Sequence, residues 1–332
     1  MSAATSLSFS SDPGASLEQA ADYLAAMPVA SNVVATVAAR ARAERDQGVL
    51  QDPRNWYAVA RDEDGTVVGV AMRTAPFAPR PLYVLPMPDD AARELARALH
   101  TRGEQVGGVN GSLPSARLVA EELARLGGGL VVEAMHLRLF ELGTLVPPER
   151  VPPGGLRPAR PEEAGLCLRW FEEFAAAADE QSGRPAGSHP DSGEDLASLG
   201  RRIEARLIHL WEVDGEPVHL TAVTAPALGV ARIGPVFTPR AHRGRGYAAA
   251  AVAQISQQVL DRGARPCLYT DQANPVSNAL YERLGYEPVV DTVNLRVEGR
   301  DEERPAEQGP DERGPGTVPG DGASTGAVRA DP

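Results

Sequence analysis

At 332 residues the chain is long for one compact domain and suits two of roughly 150 each, with a hydrophobic content of 42% that supplies ordinary cores. A net charge of −12 and a pI near 5.1 argue against a nucleic-acid backbone as the main partner, because phosphate binding wants a basic face; cationic amines would be tolerated or attracted. Two distant cysteines outside any metal or redox spacing, no apolar run of membrane-spanning length and no signal-peptide pattern together lead to the expectation of a cytoplasmic protein with no metal site and no membrane segment.

In chain order, residues 1–15 are Ser- and Ala-rich and read as a flexible leader. Leu17 to Met27 and Ser31 to Gln47 look helical, the second capped by Ser31 or Asn32. Trp56 to Arg61 and Thr66 to Thr74 read as a hairpin around Asp62 to Gly65. Strands are predicted at Leu82 to Leu85, Val106 to Val109 and Val131 to Leu142, alternating with helices at Asp89 to His100 and Pro114 to Leu126. The Pro- and Gly-dense stretch 144–155 marks a domain boundary. Beyond it the order restarts: a short strand at Leu156, helices at Glu162 to Ala178 and Ser192 to Ala205, and a hairpin of Leu207 to Val213 with Pro217 to Thr224. A strand ending at Thr238, a helix, a strand at Cys267 to Thr270, a helix carrying Tyr281 and a strand at Val289 to Val297 follow. From 299 to 332 the composition is Pro, Gly, Glu and Asp, too poor in apolar residues to offset ordering entropy, so a disordered tail is expected. The halves 16–143 and 156–298 thus share one order of elements, which reads as an internal duplication.

The most informative stretch runs from Ile233 to Ala250. A β-rich segment ends at Thr238, a turn carries Gly244 and Gly246, and an Ala-rich helix begins. The first N–H groups of a helix have no intrahelical partner and sit at the positive end of its dipole, so they hold anions; Arg243 and Arg245 add charge nearby. A second block, Thr270 to Pro288, places Asn274 after a strand, Tyr281 seven residues on, and Gly285 with Tyr286 at the helix end.

Read as Arg243-x-x-Gly246-x-Ala248, the loop resembles motif A of the GCN5-related N-acetyltransferase (GNAT) superfamily, and the second block resembles its motif B. The resemblance implies an α/β chain of two tandem GNAT-like domains, each a mixed, mostly antiparallel sheet flanked by helices, with acetyl-coenzyme A as cosubstrate. The first half has Met87-Pro-Asp-Asp90 where the second has its glycine loop, so the N-terminal copy reads as degenerate and the C-terminal one as catalytic. On the same basis Arg243, Gly244, Arg245, Gly246, Tyr247 and Ala248 would cradle the pyrophosphate. Backbone groups of Val236, Phe237 and Thr238 would meet the pantetheine arm, joined by Asn274 and, more weakly, Ser277 and Asn278.

Tyr281 would protonate the leaving thiolate, the role the superfamily usually gives a tyrosine here, with a core aromatic as the other reading. For the general base Asp271 heads a field that also contains Glu172, Glu173, His209, Glu212 and His219; each has a plain structural alternative as a cap, a solvated face or a satisfied strand residue. His242 reads as a neighbour of the cofactor. The expected activity is acetyl transfer to a primary amine, small or peptidic, in a ternary complex. A non-catalytic acyl-coenzyme A sensor or scaffold stays open, as do another acyl donor, a peptide N-terminus and an aminoglycoside.

Overall fold

A computed structural model describes residues 5–75, 79–185, 187–188 and 193–299. From residue 300 on, the predicted tail lies outside the described residues. In the first half the elements are β1 (Ser6–Ser10), α1 (Pro13–Gln19), α2 (Ala21–Ala26), α3 (Asn32–Asp46), β2 (Trp56–Arg61), β3 (Val67–Arg73), β4 (Leu82–Val84), α4 (Asp89–Thr101), β5 (Gly108–Ser112), α5 (Ser115–Gly127) and β6 (Leu130–Leu142). The second half has β7 (Gly155–Pro158), α6 (Ala164–Gln181), α7 (Leu196–Glu204), β8 (Ile208–Val213), β9 (Glu216–Val223), β10 (Val230–Phe237), α8 (Tyr247–Asp261), β11 (Arg265–Asp271), α9 (Pro275–Arg283) and β12 (Tyr286–Glu298).

Part of the expected leader is structured. Leu7 and Phe9 alternate with serines, so one face of β1 packs on the first core while the strand pairs antiparallel with β2, Ser6 opposite Arg61 and Ser10 opposite Tyr57. The Asp12 carboxylate then accepts from the N–H groups of Gly14 and Ala15 at 2.9 and 3.1 Å, and Pro13 opens α1 with its φ already set. Serine content had hidden a period-2 pattern.

The twelve strands of the described residues form one sheet in the order β1-β2-β3-β4-β5-β12-β6-β11-β10-β9-β8-β7. The pairs β4·β5 and β10·β11 are parallel and the other neighbours antiparallel. The centre of this order is an exchange. β12, the last strand of the second half, pairs with β5 of the first, and β6, the last strand of the first half, pairs with β11 of the second. The two exchanged strands also pair with each other along their length.

The cores follow the exchange. Val293 and Leu295 of β12 are buried with Leu82, Val109, Leu95 and Leu99 of the first half, while Phe140 and Leu142 of β6 are buried with Ile233, Leu268 and Tyr286 of the second. Each fully buried aliphatic or aromatic side chain stabilises by about 1.5–3 kcal/mol, an upper estimate for a chain already compact when unfolded. Each half therefore takes core from the other. The described residues belong to one compact unit.

Candidate functional site

β10 pairs with β11 only at Val230, Ala231 and Arg232. Beyond that point a bulge between Ile233 and Val236 shifts the register of β10 against β9, while β11 continues from Cys267 to Asp271 against β6 on its far side. The β11-facing backbone of the later β10 residues is left without a ladder partner, which is the local effect expected of a bulge. The gap opens into a cavity of about 1330 Å³ lined by residues of both halves.

At one end of the cavity is the glycine loop. Gly244 and Gly246 have φ of 76° and 86°, a left-handed conformation that most residues other than Gly, Asn and Asp adopt only with strain. Gly246 is the N-cap of α8 and no side chain caps that helix. Among the described residues none of the six consecutive N–H groups from Gly244 to Ala249 donates to a protein acceptor; the first intrahelical bond is Ala250 N–H to the Gly246 carbonyl at 3.1 Å. This is a donor-rich concavity at the positive end of a helix. The Arg243 Nε donates to the Thr238 carbonyl at 3.1 Å and Arg245 to the Ala241 carbonyl at 3.2 Å, so both arginines brace the loop besides charging it. Phe237 and Tyr247 are buried, their rings 6.0 Å from Trp170 and 6.3 Å from Trp211, so these two positions offer the cavity little beyond backbone. Val236, Thr238 and Ala248 line it as well.

Thr238 has a further partner. Its Oγ1 lies 2.8 Å from His219 Nδ1, and His219 Nε2 lies 2.6 Å from Thr221 Oγ1. The imidazole is wholly buried and burial pushes its pKa down to about 3, so it is neutral and fixes the end of β10.

Motif B is placed by α9. Asn274 accepts from the Ser277 N–H at 3.1 Å as N-cap, and its Nδ2 donates to Gln181 Oε1 of α6 at 3.0 Å. Asn274 and Ser277 line the cavity. Asn278 is not among the lining residues; its amide donates to the carbonyls of Asn274 and Asp271 at 2.9 and 3.1 Å, holding the turn that leads into the helix.

Tyr281 lines the cavity and is nearly buried in the second core. Burial pushes its pKa above that of an ordinary phenol, so the hydroxyl stays protonated. Among the described residues no protein group hydrogen-bonds that hydroxyl.

The base candidates fare differently. Asp271 lines the cavity, but its Oδ1 accepts from Arg184 Nη2 at 3.0 Å and from Ala273 N–H at 2.9 Å, and Arg184 Nη1 meets its other oxygen. A carboxylate so committed closes a turn and an ion pair and is a poor proton acceptor. Glu172, Glu173, His209, Glu212 and His219 do not line the cavity. Glu172 and Glu173 are exposed on α6, Glu212 is 2.6 Å from Arg157 Nε, and His209 is buried with its pKa pushed down to about 4 by desolvation. His242 does line it.

The sequence names no residue for the far wall, which draws on both halves. Arg232 Nη1 of β10 donates to Asn32 Oδ1 of α3 at 3.1 Å, and the hydroxyls of Tyr83 and Tyr269 are 3.0 Å apart across the two halves. These contacts join segments about 200 residues apart.

The matching place in the first half is closed. All three residues of β4 pair with β5, and Gly111 (φ 138°) packs so tightly that a Cβ there would collide with the Val84 carbonyl. α4 opens with Asp89 and Asp90, and the Met87 N–H donates to Ser115 Oγ at 2.9 Å. Among the described residues of the first half there is no comparable gap or donor loop.

Residues 214–297 match a family model described as FR47-like protein. No curated protein sequence matches the chain. Among solved structures, a Drosophila protein superposes with a TM-score of 0.61 at 14% identity, covering 88% of this chain and 98% of that one. A GCN5-related N-acetyltransferase from Sphaerobacter thermophilus gives 0.54 at 18% identity over 89% and 95%. An acetyltransferase of the GNAT family from Colwellia psychrerythraea gives 0.50 at 14% identity over 89% and 100%. At these identities the likeness is one of fold.

Proposed function

Because this chain has the fold of the GCN5-related N-acetyltransferase superfamily, we propose that it transfers an acetyl group from acetyl-coenzyme A to a primary amine within a ternary complex. The observation that carries this reading is the run of unpartnered N–H groups from Gly244 to Ala249 at the end of an open strand gap. A pyrophosphate fits those donors, and an extended amide-bearing arm fits the unpaired edge of β10 as an added strand. Acetyl-coenzyme A would supply an activated thioester there.

The chain's own groups have distinct tasks. The glycine loop and α8 bind the anion; the free N–H groups of β10 near the bulge hydrogen-bond and polarise a carbonyl placed in the gap. The Tyr281 hydroxyl, protonated and without a protein partner, donates to the departing sulfur. Asn274 and Ser277 position the arm. In this reading the second half is catalytic, and the first is a degenerate copy that contributes β6, the α3 wall and stability. Asp271 is assigned to the ion pair with Arg184.

Release of free thiol from acetyl-coenzyme A across a panel of amines, amino acids, polyamines, aminoglycosides and peptides tests it. Release with at least one acceptor is the expected result. Tight coenzyme A binding with no release on any acceptor would leave a sensor in place of an enzyme.

A further inference from the structure

At the end of the cavity away from the glycine loop, the charge runs against the chain as a whole. Arg40 of α3, Arg202 of α7 and Arg232 of β10 all line it. Of the three, only Arg202 has a carboxylate partner among the described residues: its Nη1 lies 2.6 Å from Glu194 Oε1. Among the described residues the Arg232 guanidinium donates only to the neutral amide of Asn32. Glu44, one turn along α3 from Arg40, faces Arg201 at 4.0 Å. Three guanidiniums therefore share one carboxylate in a chain whose net charge is −12.

Their placement is specific. Arg232 is five residues before Phe237 on β10, so at about 3.3 Å per residue its Cα is roughly 17 Å from the end of the strand that leads to the glycine loop. It is too far along to be part of the pyrophosphate cradle and stands past the gap, in the paired part of β10 and β11. Arg202 is mostly buried and its guanidinium sits 5.2 Å over the Phe171 ring, which fixes its position. Desolvation and repulsion from Arg232 and Arg40 hold its pKa below the usual guanidinium value, against the pull of Glu194. Clustered cations at a half-buried wall are unfavourable until an anion joins them.

We propose that this arginine wall binds an acidic group, a carboxylate or phosphate, of the amine acceptor. The reading rests on the acyl-transfer function above and departs from the expectation from net charge that cationic amines are tolerated or attracted. A planar guanidinium suits either oxyanion by paired hydrogen bonds.

Matched probes test this by calorimetry on the full chain, free and saturated with coenzyme A: O-phosphoethanolamine against ethanolamine, and glycine against glycinamide. Expected is at least about tenfold tighter binding of the acidic member of one or both pairs, collapsing to a ratio near one in Arg232→Gln. Phosphate preference in the first pair alone identifies a phosphate acceptor, and preference in the second alone a carboxylate. Arg40→Gln, at an exposed position of α3, is the second variant and should weaken the acidic probes several-fold if Arg232→Gln fails to fold. Equal affinity within both pairs, no binding of any probe, or an acidic preference untouched in both variants overturns the proposal. Coenzyme A affinity in the same samples keeps the two readings apart: if coenzyme A does not bind, the acyl-transfer reading fails, and the free-protein titration still decides the anion site.

Discussion

The Tyr281 ring stands edge-on to Tyr286, with centroids 6.0 Å apart and planes at 67°, while the Tyr286 hydroxyl pairs with Ser256 Oγ at 2.8 Å. One tyrosine of the pair is thus anchored inside the core, and the other keeps its hydroxyl for the cavity.

That asymmetry makes Tyr281→Phe informative. The ring packing is retained and no protein hydrogen bond is lost, so melting temperature and coenzyme A affinity should hold. If the hydroxyl serves the departing sulfur, kcat falls by roughly 10²-fold. Since burial raises the Tyr281 pKa, the wild-type rate should show no loss of the acid form near pH 10. Unchanged turnover in the variant would end its catalytic assignment.

The anion site is tested by a charge swap at constant shape. Asn and Asp both tolerate the left-handed φ of Gly246, and a Cβ there meets nothing within 4 Å. Gly246→Asn should therefore fold and bind coenzyme A with modest weakening. Gly246→Asp should fold equally well and bind at least about tenfold more weakly than the Asn variant, because its carboxylate faces the pyrophosphate. Equal calorimetric affinities for the two variants would remove the loop from the cofactor site.

Asp271 and Arg184 are best tried together. Removing either leaves a mostly buried charge unpaired, so Asp271→Asn and Arg184→Gln should each destabilise by about 2 kcal/mol, while the double variant should recover much of the loss. Turnover should follow stability. A collapse of kcat in Asp271→Asn, with no recovery in the double variant and a folded protein by circular dichroism, would restore Asp271 as the base.

Much of the candidate site is legible in the sequence because its signals are local. The glycine loop, the Asn-Pro cap before α9 and the tyrosine on it each lie within a few residues of the strand they follow, and the local backbone dictates their geometry. β1 was passed over because serine content outweighed the alternation of Leu7 and Phe9. The residues of the far wall were not legible for a different reason: Arg232 meets Asn32 only through the fold, and neither residue sits in a motif. Likewise β6 and β12 carry strand patterns that say nothing about which neighbour each will choose.

Acid should unfold the protein through its buried histidines before most carboxylates titrate. An unfolded histidine takes a proton near pH 6.5, whereas the fold holds His219 to about 3 and His209 to about 4. Their contribution to stability is complete above pH 6.5 and is lost as the pH falls, because the unfolded chain binds protons that the fold refuses. Between pH 6.5 and 5 each histidine should approach a slope of about 1.4 kcal/mol per pH unit. Denaturant melts over that window check it, and His219→Gln should roughly halve the slope. A pH-independent stability there would mean the imidazoles are protonated in the fold.

The exchange of β6 and β12 predicts how the chain fails when cut. A fragment of residues 156–298 retains motifs A and B, yet it lacks β6, the strand that pairs with β11 beside the gap and supplies Phe140 and Leu142 to the core. In the other fragment, residues 1–143, β5 loses its partner β12, and the first core loses Val293 and Leu295. Each fragment thus has an unpaired strand edge and an open core, the conditions under which a sheet aggregates. Expressed alone, each should be insoluble or unfolded by circular dichroism; expressed together, they should co-purify and regain the coenzyme A affinity of the intact chain, since the exchanged strands tie the fragments more closely than the linker does. A folded 156–298 fragment that binds coenzyme A by itself would show that β12 can return to its own half and that the first half is dispensable to the site.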